Sequence, residues 1–425
     1  MSPAVAAFLV GAALLGLTRF RAYVLLMLGV RACADLFKGG ERLTGATTLL
    51  AVLFLVTAGL WLAARLHEHQ RLRGSPLGTA LLLVAATAGV SALGSTHPGT
   101  SVAEVLRILT VVTMFVVLEQ LLPDEDLAHR VLVASYAALA LVLGYTLVLA
   151  LLGHPPSEVK GSFTRVSGPF GQSTTFGRYL MFLVVFGCGI RRFTPKRWRA
   201  ALTVLLGLSL ALLAATNTRS AIIGTALGLL VVAVLHRSAA LVALLCVAAV
   251  GTVLLLPAVA DRFAQLGETR SAGGDPTGNT LAWRVDYWAR IVDLADRNPL
   301  TGIGPNVTAR ETAEAKRPHN DALRAYVETG VLGLLAYLAM LGACLHTARQ
   351  ALRRAPPGTF ARGIAVGFAG CAVAFVAVSA VSNVVSNVVT MWYFVAFAAV
   401  AGAVSTVESS ENEGSGNLGI PARGA

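Results

Sequence analysis

The stretch Arg317-Pro318-His319-Asn320-Asp321-Ala322-Leu323 runs on to Glu328-Thr329-Gly330-Val331-Leu332-Gly333 and stays apolar to about residue 346. A polar segment ends there. A histidine stands beside an amide and a carboxylate, and an apolar run follows that is long enough to cross a bilayer, which takes about 20 residues. Asn320 or Asp321 can cap the helix that starts near Ala322. His319 is therefore expected at a membrane boundary.

The rest of the chain agrees. Of its 425 residues, 56% are hydrophobic and 13% charged, about half the ~25% of a soluble protein. Apolar spans fall at 4–18, 22–37, 46–64, 77–94, 102–121, 129–152, 175–190, 199–216, 218–236, 239–257, 323–346, 361–381 and 385–405. That makes 13, or 12 if 361–405 is one broken hairpin. The short alternating segments of a transmembrane barrel are absent. The expected fold is an all-α polytopic membrane protein. Helices fill 1–257, a long polar loop follows over 258–322, more helices fill 323–405, and a polar Gly/Ser-rich tail over 406–425 is expected to be disordered.

The net charge is +12, and the arginines cluster at the ends of apolar runs. Orientation in the membrane explains this without a nucleic-acid partner. Arg65, Arg71 and Arg73, then Arg191, Arg192, Lys196, Arg197 and Arg199, then Arg349, Arg353, Arg354 and Arg362, all fall on one side by span count. The positive-inside rule makes that side cytoplasmic. Segments 153–174, 216–219 and 258–322 are then extracytoplasmic, where no nucleotide-activated donor is available. A substrate there has to arrive already activated, on a lipid. Within the long loop, Leu281, Val285, Trp288 and Val292 recur at helical spacing. They predict an amphipathic helix of about four turns, ending at Asn298-Pro299, that lies on the membrane surface or packs over a site.

Several polar groups belong to the extracytoplasmic side. Arg165, Arg219 and Arg284 are unexpected there, and a guanidinium binds phosphate through two parallel hydrogen bonds. Glu328 lies nine residues beyond His319, about 13 Å deeper along a helix. It is too far to share a proton with His319 and is expected to organise the site, with Arg324 one turn earlier as partner. Gly330 and Gly333 are expected to allow close helix contact. Glu104 and Arg107 form an i,i+3 pair near the outer end of a span. The five cysteines show neither disulfide nor zinc spacing. There is no P-loop, nucleotide-binding glycine pattern or HExxH, so neither cofactor nor metal is expected. A transporter or flippase would show midplane charge pairs and inverted repeats, and no clear repeat is visible.

The pattern His319-Asn320-x-x-Leu323, then Glu328-x-Gly330-x-x-Gly333, resembles the signature of the bacterial O-antigen ligase and polymerase superfamily. Arg284-x-x-x-Trp288, Asn298-Pro299-Leu300-Thr301-Gly302-Ile303-Gly304-Pro305, Arg165-x-x-Gly168-Pro169-Phe170 and Thr218-Arg219-Ser220 are similar too. Gln172 departs from the asparagine common in relatives. The resemblance implies a GT-C-like glycosyltransferase fold in the bacterial inner membrane, acting on undecaprenyl-diphosphate-linked glycan at the periplasmic face, metal-independent and inverting. Ligases of the family pass the glycan to lipid A-core, and polymerases extend it on the carrier. By the matching positions Arg219 and Arg284 hold the pyrophosphate, with Arg165 beside them. His319 activates the acceptor hydroxyl or assists the leaving group. Asn320 and Glu328 organise the site.

Overall fold

The computed structural model describes residues 3–33, 44–122, 124–160, 163–240, 281–313 and 315–415. The expected span 239–257 and the first part of the long loop, to residue 280, lie outside the described residues. Among the described residues the chain is a multi-pass membrane bundle, helical but for one short hairpin. Its helices are α1 (Pro3–Thr18), α2 (Phe20–Cys33), α3 (Thr44–His67), α4 (Pro76–Leu93), α5 (Pro98–Leu121), α6 (Glu125–Leu151), α7 (Ser173–Arg191), α8 (Lys196–Ala215), α9 (Arg219–Leu235), α10 (Leu281–Ala295), α11 (Thr308–Glu311), α12 (Asp321–Arg354), α13 (Phe360–Ser379) and α14 (Val388–Ser415). Eight are long and apolar enough to span a membrane, and three shorter apolar helices join them. With α2 these coincide with twelve of the thirteen predicted spans, and the thirteenth, 239–257, lies outside the described residues.

Burial sorts the helices into layers. Most of the apolar stretch of α7 and of α13 is buried, against about a fifth of that of α3 and α8. The first pair is the core; the second pair faces outward and is lipid-exposed. Core helices approach through small residues, as membrane helices must without a hydrophobic driving force between them. A side chain on Gly189 of α7 would strike Gly367 of α13, and one on Gly228 of α9 would meet the Gly370 carbonyl. Aromatic rings fill the remaining space, with Phe186 stacked on Phe397 at 4.1 Å.

Three features depart from the sequence expectation. Segment 153–174 holds a two-stranded hairpin, β1 (Ser157–Lys160) antiparallel to β2 (Phe163–Val166), pairing Glu158 with Arg165. Alternation over four residues is too short to read beside strong helical runs. Helix α14 continues to Ser415, past residue 406, where the polar composition predicts a disordered tail. Helix α10 forms where predicted but shows another face. Tyr287, Ile291, Leu294 and Ala295 are buried with Ile303, Val307 and Val327, while Val292 is exposed. The helix packs against α12, and the ring of Tyr287 rather than Val292 completes its buried stripe.

Candidate active site

His319 lies just before α12, and its local conformation is costly. It has φ 56°, a left-handed backbone that disfavours a bulky side chain. Neighbours on both sides hold it there. Before it, Tyr287 of α10 donates to the Lys316 carbonyl and the Trp288 indole donates to the Pro318 carbonyl. After it, Asn320 is the N-cap of α12, accepting from Leu323 N at 3.0 Å. The amphipathic helix of the long loop is thus a clamp on the segment that carries His319.

Asp321, the other predicted cap, does something else. Its Oδ2 accepts from Val384 N at 2.7 Å and Val385 N at 3.2 Å, in the loop joining α13 to α14. Arg178 of α7 grips the same loop, donating to the Asn383 carbonyl at 2.7 Å and to the Ser382 hydroxyl. Asn387 closes it by donating to Thr175 Oγ1 of α7 at 2.8 Å. Three buried polar atoms here, Arg178 Nε, Asp321 Oδ1 and Asn383 Oδ1, have no hydrogen-bond partner. Sequence reasoning missed this loop. Its signal is the polar run Ser382-Asn383-Val384-Val385-Ser386-Asn387 between two apolar spans, together with an arginine inside span 175–190.

The start of α7 also reaches the arginines. Glu158 of β1 accepts from Ser173 N at 2.9 Å and from Ser173 Oγ at 2.5 Å, tying the hairpin to that helix start. Thr218 donates to the Ser173 carbonyl at 3.3 Å, which fixes the turn bearing Arg219. Arg165 on the hairpin and Arg219 at the start of α9 are half-buried, and the charge of Arg165 acts on Arg219. Neither has a carboxylate within 4.0 Å among the described residues, and Arg165 Nε is buried without a hydrogen bond. Two like charges that act on one another, neither in an ion pair among the described residues, can receive an anion. Arg284 falls in the first turn of α10, and its side chain lies outside the described residues.

Glu328 sits in a buried ion cluster. Arg324 Nε meets its Oε2 at 2.8 Å, and Arg324 Nη2 meets Glu104 Oε1 at 2.9 Å. Arg107 takes the other Glu104 oxygen at 3.0 Å. The long loop supplies two further donors to Glu328, Asn306 N at 2.7 Å and Thr308 Oγ1 at 3.0 Å. Glu328 thus joins α12 to the loop and, through Arg324, to α5.

The two glycines next to it do not serve helix contact as predicted. Gly330 has φ 70° and ψ −170° and breaks α12. Residues 299–304 dock in the break. Ile303 N donates to the Val327 carbonyl at 3.1 Å and Gly304 N to the Glu328 carbonyl at 3.1 Å, while Val331 N donates to the Pro299 carbonyl at 2.8 Å. A side chain on Gly330 would strike the Leu300 carbonyl, and one on Gly333 the hydroxyl of Thr329 in its own helix. Ser91 of α4 adds a bond to the Glu328 carbonyl at 2.6 Å. The two sequence motifs, Asn298–Pro305 and Glu328–Gly333, are halves of one joint.

Residues 202–338 match the family model described as O-antigen ligase. That segment is similar to the O-antigen ligases. The matched segment contains Arg219, Arg284, His319, Asn320 and Glu328, ends inside α12, and leaves Arg165 outside. None of the curated proteins matches the chain. The resemblance to the O-antigen ligase and polymerase superfamily holds, and with it the coarse activity, a membrane glycan transferase of ligase or polymerase type working on lipid-linked glycan and an acceptor. Among the described residues no three His, Cys, Asp or Glu side chains converge as metal ligands.

Proposed function

We propose that the chain is an O-antigen ligase-like glycosyltransferase. It moves a glycan from an undecaprenyl-diphosphate carrier to a cell-surface acceptor, lipid A-core or its equivalent, at the outer face of the bacterial cytoplasmic membrane. The observation that carries this is the pair Arg165 and Arg219, whose charges act on one another and neither of which has a carboxylate within 4.0 Å among the described residues. They stand on elements anchored to the same helix start that holds the α13–α14 loop against α12.

In this reading Arg165, Arg219 and Arg284 bind the diphosphate, and His319 takes the proton of the acceptor hydroxyl. The acceptor oxygen forms its bond to the anomeric carbon from the face opposite the diphosphate. The carbon–oxygen bond to phosphate breaks, and the electron pair leaves on the diphosphate. The arginines stabilise the charge that develops there, a contribution often worth several kcal/mol, and a positioned base adds about 10²–10⁴-fold. The donor is already activated, so the step needs no nucleotide, and the protein groups named here supply it without a metal. Asn320 and Glu328 hold the frame.

Deleting the gene and sizing the surface glycan tests the assignment. The expected result is loss of long chains from the acceptor while lipid-linked polymer accumulates. Accumulation of single repeat units would instead assign a polymerase. A chain with His319→Ala, present in the membrane at normal level, is expected to leave the deletion uncomplemented; full complementation would remove His319 from the chemistry.

A further inference from the structure

Arg317 is half-buried, two residues before His319. Three guanidinium groups, of Arg107, Arg317 and Arg324, share one electrostatic neighbourhood with two carboxylates, of Glu104 and Glu328. The carboxylates are spent. Glu328 receives Arg324 at 2.8 Å on one oxygen and Thr308 on the other, and Glu104 receives Arg324 at 2.9 Å and Arg107 at 3.0 Å. Arg317 has no carboxylate within 4.0 Å among the described residues, and its one hydrogen bond goes to the neutral Ser386 hydroxyl, at 3.5 Å. Burial, and then the charge of Arg324, push its guanidinium below the ordinary value, the direction expected of a cation held without its counterion.

Ser386 is itself held in place. It belongs to the α13–α14 loop that Asp321 and Arg178 clamp through Val384 N, Val385 N and the Asn383 carbonyl. Arg317 is thus a planar five-donor group whose flanking backbone is held by Tyr287 and Trp288, whose tip touches the clamped polar loop, and which has no carboxylate of its own within 4.0 Å among the described residues.

We propose that Arg317 is a substrate-binding residue that takes an anionic group, a phosphate or a carboxylate, beside His319. This rests on the transfer reading above and adds a contact on the α13–α14 loop side of the site, apart from the Arg165–Arg219 pair. The anion comes either from the diphosphate of the donor or from an acidic sugar of the glycan or acceptor.

The test is equilibrium binding to the full chain in nanodiscs, with inorganic pyrophosphate in one arm and glucuronate in the other. Wild type, Arg317→Gln, Arg317→Lys and Arg219→Gln are compared. Loss of a two-bond guanidinium contact is expected to weaken one ligand by about 10-fold in Arg317→Gln, and by less in Arg317→Lys, which keeps the charge but not the fork. Weakening in the pyrophosphate arm assigns the donor; weakening in the glucuronate arm assigns the acidic sugar. Unchanged affinity for both overturns the proposal. If Arg317→Gln does not yield folded protein, Arg317→Lys decides, and unchanged affinities there overturn the proposal equally. Pyrophosphate affinity lost in Arg219→Gln but kept with glucuronate affinity in Arg317→Gln removes Arg317 and leaves the transfer reading standing. A wild-type chain that binds neither ligand removes the transfer reading itself.

Discussion

At the scale of single residues, Glu328 shows what spacing reveals and what it hides. Arg324 stands four positions away on the same helix, so their pairing is legible from the sequence alone. Glu104, Asn306 and Thr308 are not, because they arrive from another helix and from the long loop, and no local pattern ties them to Glu328. Their convergence makes Glu328 structural. It is 3% exposed and Arg324 is 7% exposed, so removing one charge strands the other in a dry site. Glu328→Gln is expected to cost about 3 kcal/mol, read as a fall in the thermal midpoint of the purified chain. Arg107 is 53% exposed, and Arg107→Gln is expected to cost under about 1 kcal/mol. Equal losses from the two variants would contradict the burial argument. His319 was legible by its company, an amide cap and an apolar run. Its left-handed backbone was not, since that follows from the indole and phenol bonds made by a helix some thirty residues upstream.

At the scale of elements, α12 is one apolar run in sequence and a broken helix in space. Glycine is common in membrane helices, so nothing in the composition separates Gly330 from a glycine that only lets two helices touch. What distinguishes it is the partner. Residues 299–304 fill the break and take up its backbone groups, as non-helical backbone inside a membrane protein requires. Gly330→Ala meets both a positive φ and the Leu300 carbonyl, and is expected to destabilise by about 3 kcal/mol or more. Gly342, in the same helix with open space around it, serves as control. Gly342→Ala is expected to be neutral or to stabilise by up to about 1 kcal/mol. Thermal unfolding of the two variants in the same detergent separates a joint from a spacer; similar midpoints would mean that the break is not needed. Helix α10 teaches the same lesson from the other side. Its existence followed from periodicity, but its buried face did not, because aromatic Tyr287 outweighed Val292 in filling the space over α12.

At the scale of the whole molecule, the spans were legible because twenty-residue apolar runs leave few alternatives. The site was legible only in pieces, because the α7 start, the Arg219 turn, the hairpin and the α13–α14 loop are tied together by hydrogen bonds between segments far apart in sequence. Hydrogen bonds join like ends of the helices, and this is where the topology becomes testable. At the His319 end Arg178 meets the α13–α14 loop, Ser91 meets α12, and Thr96 meets Glu311 at 2.9 Å. At the other end Arg21 meets Asp124 at 2.6 Å, and Arg199 bonds to the Thr194 carbonyl at 3.0 Å. The arginine-rich turns gather at that second end, so by the positive-inside rule the proposed function expects His319 outside the cytoplasm. His154 and Lys196 are both exposed, at opposite ends of the bundle. In intact cells, or in spheroplasts where an outer membrane stands in the way, His154→Cys is expected to react with a membrane-impermeant maleimide. Lys196→Cys is expected to react only after the membrane is opened. The parent chain sets the background from its own cysteines. The reverse pattern would put His319 and the unpaired arginines in the cytoplasm, among nucleotide-activated sugars, and the requirement for a donor carried on a lipid would fall with it.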